Sequence, residues 1–411
     1  MPDTSSTSYT ALFGTPEFRP LFLSSAAGVA ARTVGGLALG TLVFRATDSP
    51  LLSALSMFGP ALAQVAGATL FLSGADRLPP RAALTGLSLA FAVTTAALAL
   101  PGLSVPAMLA VVLVQGLIAS VGGGVRWGLL HEILPEGGYL TGRSLFNMMH
   151  GLTQIAGYAA GGFLVAVLSP RLCLLLAAGL YGAAAGLTLL LSRRPPRAAG
   201  RPSVTATRRA NARLWSARPR RHVYLALWIP NGLIVGCESL YVSYDPGSAG
   251  TLFACAALGM LAGDITVGRL LPPRLRPRLG VPLLVLLAAP YLALFLRPPL
   301  PVTAVLVAVA SVGFGASLVQ QERLVALTPD DLTGHALGLH SAGMLTAQGL
   351  AAALAGTVAQ FTSPATAMTA TALASLAVTL TLTVASRRDA GADCCRDRRR
   401  GTRGPRDDRA A

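Results

Sequence analysis

Apolar residues along the chain come in blocks of roughly 20, and arginine, proline and glycine collect between the blocks. A helix needs about 20 mostly apolar residues to cross a hydrocarbon core roughly 30 Å thick. With the Pro, Gly and Arg clusters as breaks, the pattern predicts twelve such helices, at 21–44, 51–73, 82–100, 106–126, 144–168, 171–192, 223–244, 249–271, 280–296, 302–322, 336–359 and 365–385. The expected fold class is an all-α polytopic membrane protein.

Composition excludes a water-soluble chain. Of the 411 residues 53% are hydrophobic and 12% charged, and the mean hydropathy is +0.60, which leaves too little polar surface to cover a soluble protein of this length. All 33 basic residues are Arg, and the net charge is +16. Loops retained in the cytoplasm collect positive charge. With the N-terminus inside, 29 of the 33 arginines fall in cytoplasmic segments, Arg45, Arg171 and Arg297 lie outside, and Arg32 sits within a span. Both termini are expected in the cytoplasm. Residues 1–17 hold Asp3 and Glu17 but no Arg, and no small-residue cleavage pattern follows the first apolar run, so the first helix is expected to remain as an anchor. Cys173, Cys237, Cys255, Cys394 and Cys395 lack metal-binding spacing and read as reduced and structural.

The segment "RRPPRAAGRPSVTATRRANARLWSARPRRH" carries ten Arg and no acid, and divides the spans six and six. Lying between membrane helices with Trp215 as its one aromatic, it reads as a linker against anionic headgroups, not as a nucleic-acid arm. The expected organisation is a cytoplasmic tail at 1–20, a six-helix half at 21–192, the basic linker at 193–222, a second half at 223–386 and a charged, disordered tail at 387–411. The halves echo each other. Ala75 to Arg81, "ADRLPPR", returns as "GRLLPPR" at Gly268 to Arg274, 192 residues on from Arg77 to Arg269, and Leu140-Thr141-Gly142-Arg143 returns at the same offset as Leu332-Thr333-Gly334-His335. Each half holds an even number of spans, so the two share one topology, related by an axis along the membrane normal.

Over residues 18–386 these features resemble the major facilitator superfamily. Asp76, Arg77 and Arg81 match that family's G-x-x-x-D-R-x-G-R-R loop, while Leu72 replaces its first Gly and Pro79-Pro80 replace Gly-Arg. The resemblance implies a cytoplasmic gate built from Asp76, Arg77 and Arg81 and, in the second half, Asp264, Arg269 and Arg274, where Gly268 stands in place of the Asp. Gly157, Gly161 and Gly162 are similar to part of the exporters' G-P-x-x-G-G pattern, with Tyr158 in the place of Pro; close packing by small residues is the other reading. Gln115-Gly116 matches the antiporters' R-x-x-Q-G pattern, but Val112 stands where its Arg would be.

A charge inside the hydrocarbon costs at least about 2.5–3.5 kcal/mol on insertion scales, so each one needs a reason. Arg32 in span one and Glu238 in span seven lie within about one turn of each other in depth. The family fold sets those spans across a central cavity, where the two residues would pair in one state. An acid among apolar neighbours favours its neutral form, which makes Glu238 the candidate proton carrier, the alternative being a satisfied structural acid with Arg32 snorkelling. Gln64, Gln115, Asn147, Gln154 and Gln348 are candidates to line a substrate path or to bond between helices. His150 and His340 read as packing histidines, Tyr241 and Tyr244 as interfacial anchors. No P-loop, H-E-x-x-H or paired-carboxylate pattern occurs, so no enzyme and no cofactor is expected, and an ion gradient is left as the driver. The expectation is a monomeric secondary transporter in a bacterial plasma membrane, exporting a small amphipathic compound in exchange for protons. The alternatives are an uptake symporter and a non-transporting sensor or scaffold.

Overall fold

The structure, a computed structural model, describes residues 12–70, 79–134, 138–196, 204–272, 274–329 and 332–401. Every predicted span is helical. The first half comprises α1 (Phe18–Thr47), α2 (Pro50–Leu70), α3 (Pro80–Leu98), α4 (Val105–Ile133), α5 (Gly138–Val167) and α6 (Pro170–Thr188). Within the linker lies α7 (Val204–Ser216), a short helix the sequence reading does not include. The second half begins with α8 (Arg218–Glu238) and α9 (Tyr241–Tyr244), then α10 (Ala249–Ile265), which a π turn extends to Leu270. α11 (Arg276–Ala288) runs on as a 3-10 stretch to Leu296, α12 (Leu300–Val312) and α13 (Ala316–Ala326) form span ten, and α14 (Thr333–Phe361) and α15 (Pro364–Gly401) complete the chain.

Prolines set most of the starts. Pro50, Pro80, Pro170 and Pro364 each open a helix, at the one helical position where a missing N–H costs nothing. α1 ends on Asp48 in the left-handed region at φ 52°, and its N–H closes the last turn on the Phe44 carbonyl. α15 runs on through Arg387 to Gly401, where the sequence reading expects disorder; Pro405 is the first proline after Pro364, so no breaker interrupts that stretch.

Among the described residues, eleven helices are long and apolar enough to cross a membrane. The predicted fifth span, α5, has the length at 30 residues but not the hydropathy, because His150, Gln154 and several glycines dilute its apolar content. It is held by neighbours instead, packing against α1 in its own half and α10 in the other. Large apolar side chains such as Phe163 and Phe361 point outward around the bundle, as a lipid-facing belt requires.

The echo in the sequence becomes a repeated packing scheme. α1 lies on α6 as α8 lies on α15; α2 lies on α4 as α10 lies on α12; α1 lies on α5 as α8 lies on α14. The halves meet along two seams, α2 with α14 and α5 with α10, which the same two-fold exchanges. Fourfold-spaced small residues let these helices approach closely. A β-carbon on Gly162 of α5 would stand 2.7 Å from Gly250 Cα of α10, so the seam closes there backbone to backbone. The other seam is tied at the same membrane face, where Ser49 donates to Gln360 Oε1 at 2.6 Å. Towards the arginine-rich face, Arg269 reaches across α10 and α5 to Met148 Sδ at 3.6 Å.

The largest buried cluster is built on Tyr241, Tyr291, Phe253, Leu287 and Met368 and takes in Leu37 of α1; smaller ones in the second half gather around Tyr224 and Leu324 and around Leu332 with Leu214 of the linker helix. The first half has two: one at the arginine-rich end (Phe18, Leu21, Leu84, Leu129, Phe146) and one at the opposite end (Leu39, Val43, Leu98, Met108, Leu174). What lies between them is not packed.

Candidate functional site

Between those two cores is a cavity of about 300 Å³, lined entirely by the first half. On α1 the lower core ends near Leu21 and the upper begins at Val34, and the intervening Ser24, Gly28 and Arg32 face the open space. The same gap recurs on the other helices: Leu87, Ser88 and Phe91 on α3, Gln115, Ala119 and Arg126 on α4, Tyr181 on α6, with Gln64 closing the side from α2. Small and polar residues occupy positions where a packed bundle would place leucine. The void follows from that choice.

Arg32 and Arg126 are close enough to repel one another, and His150 of α5 feels both. The Tyr181 hydroxyl lies within reach of Arg32 and stacks its ring on Phe91, with centroids 5.3 Å apart. No carboxylate lines the cavity among the described residues. Gln115 donates to Thr94 Oγ1 at 2.8 Å and Thr95 Oγ1 at 3.1 Å, which fixes its amide at the wall. Asn147 and Gln154 do not line this cavity; both lie on α5, where Gln154 bonds Tyr158 one turn on. Gln348 pairs with Asn231 at 3.3 Å, an interhelical bond between α14 and α8. Arg126 was not singled out in the sequence, where its place near a predicted helix end makes it an ordinary cytoplasmic arginine. α4 continues to Ile133, and those two added turns put Arg126 inside the bundle.

Glu238 is in the other half and is 5% exposed. It closes α8, and the chain turns at Ser239–Leu240 before α9, so span seven is broken at the acid where the sequence reading runs it unbroken to 244. Ser239 and Leu240 satisfy their N–H groups on Val235 and Cys237, as a frayed helix end does. The break also turns Tyr241 inward, correcting its reading as an interfacial anchor: it is fully buried, with its hydroxyl 2.5 Å from that of Tyr291. Glu238 Oε1 has no hydrogen-bond partner. Among the described residues, no ion pair joins Glu238 to Arg32. Tyr158 stands between them instead, within electrostatic reach of both and stacked across the seam on Phe253 at 4.7 Å.

Of the expected gate residues, Arg269 makes the contact with Met148 of α5 described above. Asp76 and Arg77 lie outside the described residues. Arg81 donates to the Leu191 carbonyl at 3.2 Å, within its own half. Asp264 takes no ion-pair partner among the described residues, and Arg274 is exposed at the surface. The ion pairs that are described bind each half to itself. Arg276 joins Glu322 at 2.7 Å and the Gly268 carbonyl at 2.9 Å, tying together the arginine-rich ends of α10, α11 and α13. Its counterpart is Arg194, which pairs with Glu17 and, at 3.3 Å, with Glu132.

Glu17 also accepts the Ser192 N–H at 2.7 Å. Partial burial pushes its carboxyl up, but the Ser192 hydrogen bonds and the Arg194 charge outweigh that and leave it below the ordinary value. A depressed carboxyl contributes stability above its unfolded pKa of about 4.3, and the contribution disappears as pH falls through the folded value. Glu17→Gln should therefore lower stability by about 0.5–1 kcal/mol at neutral pH. Melting curves of the purified protein should show the gap to wild type closing on acidification below about pH 4; a gap independent of pH would reject the ion pair as its source.

No curated protein matches this sequence. Solved structures share the fold at low identity. A POT family transporter in complex with 5-aminolevulinic acid superposes with a TM-score of 0.74 at 11% identity, covering 93% of this chain and 98% of its own. The nucleoside transporter NupG gives 0.71 at 14%, covering 90% and 98%. A bacterial homologue of the human lysosomal transporter Spinster, in an inward-facing and unoccupied conformation, gives 0.66 at 14%, covering 90% and 94%. The family model described as Major Facilitator Superfamily matches residues 21–320, which reach from the start of α1 into α13. That match, over more than half of the chain and in keeping with an all-helical fold of eleven membrane-length helices among the described residues, means that the chain belongs to the major facilitator superfamily.

Proposed function

We propose that this membrane transporter is a proton-coupled exporter of a small amphipathic compound, working by alternating access of its two halves in a bacterial plasma membrane. Both termini would lie in the cytoplasm, on the side where the arginines collect. The observation that carries the coupling is Glu238. A lone carboxyl oxygen buried at a helix break, with no cation beside it, holds charge only at high cost. It keeps a proton while sealed and exchanges it when rocking of the halves lets water in. Tyr158, between Glu238 and Arg32, links the proton site to the cavity electrostatically.

Export is favoured over uptake by the Gly157, Gly161, Gly162 pattern on α5. Gly157 and Gly161 lie against Thr33 and Val34 of α1, and Gly162 against α10, so α5 is the helix on which both the cavity helix and the second half ride. The Arg194 and Arg276 clusters support the two halves moving as rigid bodies.

Inverted vesicles carrying the protein should accumulate at least one member of a panel of amphipathic compounds when an interior-acid gradient is imposed, and lose it when a protonophore is added. Gradient-driven accumulation only in right-side-out vesicles would make the protein an uptake symporter. Movement in neither orientation would favour a sensor or scaffold.

A further inference from the structure

The cavity has a chemistry of its own. Two guanidinium groups, Arg32 and Arg126, share a space within the membrane that holds no described carboxylate, and neither has an ion-pair partner among the described residues. The ion pairs among the described residues lie elsewhere, Arg194 with Glu17 and Glu132 and Arg276 with Glu322. Charge inside a membrane is tolerated when it is paired or faces a water-filled path, and it marks where charged cargo passes. His150, which lies near both arginines but does not line the cavity, supplies no negative charge, and Glu238 is buried in the core of the opposite half.

The remaining wall says what the rest of the ligand is like. The Phe91 and Tyr181 rings stack at 26° and form a flat apolar surface beside Arg32, while Leu39, Leu84, Leu87 and Leu98 close the ends. Ser56, Ser88 and Gln64 supply neutral polar contacts. A cavity of about 300 Å³ is at the small end of ligand sites.

We propose that the cavity of the first half binds an amphipathic organic anion, its carboxylate or phosphate head between Arg32 and Arg126 and its apolar body against Phe91 and Tyr181. The guanidinium fork suits both heads, through paired N–H donors. This proposal rests on the transporter reading above and names its cargo class. It also accounts for the cavity between the two cores of the first half: cargo and proton are held in different halves, and Tyr158 lies at the border between them.

The probes are benzoate, 1-naphthoate and phenyl phosphate, with benzyl alcohol and benzylamine as neutral and cationic controls, titrated into purified full-length protein by calorimetry and melting. At least one anion should bind and raise the melting temperature, and the controls should not; carboxylate against phosphate response identifies the head. Arg32→Gln and Arg126→Gln should each weaken the anion at least tenfold, and Arg126→Lys should restore part of the affinity. Because an unpartnered charge is removed, both Gln variants should melt at or above wild type without ligand. Variants that melt lower and bind normally would overturn the proposal, assigning the arginines a structural role. Preference for benzylamine or benzyl alcohol would overturn it too, as would no binding of any anion. The vesicle experiment is separate: gradient-driven movement of cations alone would leave the transporter standing and remove the anion, while arginine-dependent anion binding without movement would do the reverse.

Discussion

Glu238→Gln should reduce gradient-driven accumulation by tenfold or more while leaving exchange of cargo for cargo across the membrane largely intact. The substitution keeps size and shape and removes the titrating group at this position. In exchange mode the halves rock with cargo bound and no net proton movement is needed, so a carrier that cannot release its proton still exchanges. Driven transport needs the acid to load on one side and unload on the other, and an amide cannot. Wild-type transport should vary with pH on the loading side, and the variant should be flat. The obvious complication is folding, since a buried amide with unmet hydrogen bonds costs about 1–3 kcal/mol. A melting curve separates the cases, and Glu238→Asp provides a second one: a titrating group set back by one methylene should keep the pH dependence at reduced rate. Driven transport by Glu238→Gln at the wild-type rate would remove this residue from coupling and leave it a structural acid.

Most of the architecture could be read from the sequence, because a bilayer imposes a length and a polarity that leave few alternatives. All twelve predicted spans are helical, most of them starting within about four residues of the expected position, although α4 and α15 run well past their predicted ends, and the offset of 192 residues reappears as matched helix pairs. The site was less legible, for identifiable reasons. Arg126 looks like a positive-inside loop residue until α4 is seen to run on to Ile133, carrying it two turns into the bundle. Periodicity reports where apolar residues recur; it does not report how far a helix continues past them when its next turns are Gly and Arg. Tyr241 failed similarly. At the predicted end of a straight helix it belongs at the interface, but the turn at Ser239–Leu240 aims it at Tyr291. Arg32 and Glu238 read as costly intramembrane charges, and the family resemblance together with their depth put them in one cavity, whereas Arg32 lines the cavity of the first half and Glu238 does not. Depth is only one of three coordinates; helix rotation and the gap between halves supply the others, and Tyr158 fills that gap. The gate loop shows a different limit. Of its arginines, Arg81 bonds inside its own half, to the Leu191 carbonyl, while Arg269 reaches across the seam to Met148. A basic residue past a helix end is equally good at capping its neighbour's carbonyls, and the sequence does not distinguish the two uses.

Gly162→Leu should be nearly as damaging to transport as loss of the proton carrier, for a purely steric reason. A β-carbon added at Gly162 meets Gly250 Cα at 2.7 Å, and one added at Gly250 meets Gly162 Cα at 2.2 Å. Both obstacles are backbone, so no side-chain rotation relieves them, and a leucine would have to wedge α5 away from α10. Overpacking of this kind costs about 1–3 kcal/mol, and here it is charged only to the state in which the two halves touch at this face. A cycle that must visit that state is slowed in proportion: at about 1.4 kcal/mol per factor of ten, the upper half of that range removes about 25- to 140-fold of the population. Gly162→Leu should therefore lose driven transport and exchange together, unlike Glu238→Gln, because it blocks the conformational change and not the proton. The protein should still fold, since α5 keeps its packing on α1 through Gly157 and Gly161. Gly179→Leu on α6 is the control: nothing lies within 4 Å of a β-carbon there, and transport should be unchanged. Bulky residues at Gly162 that transport normally in both modes would show that the contact of α5 with α10 is not part of the working cycle.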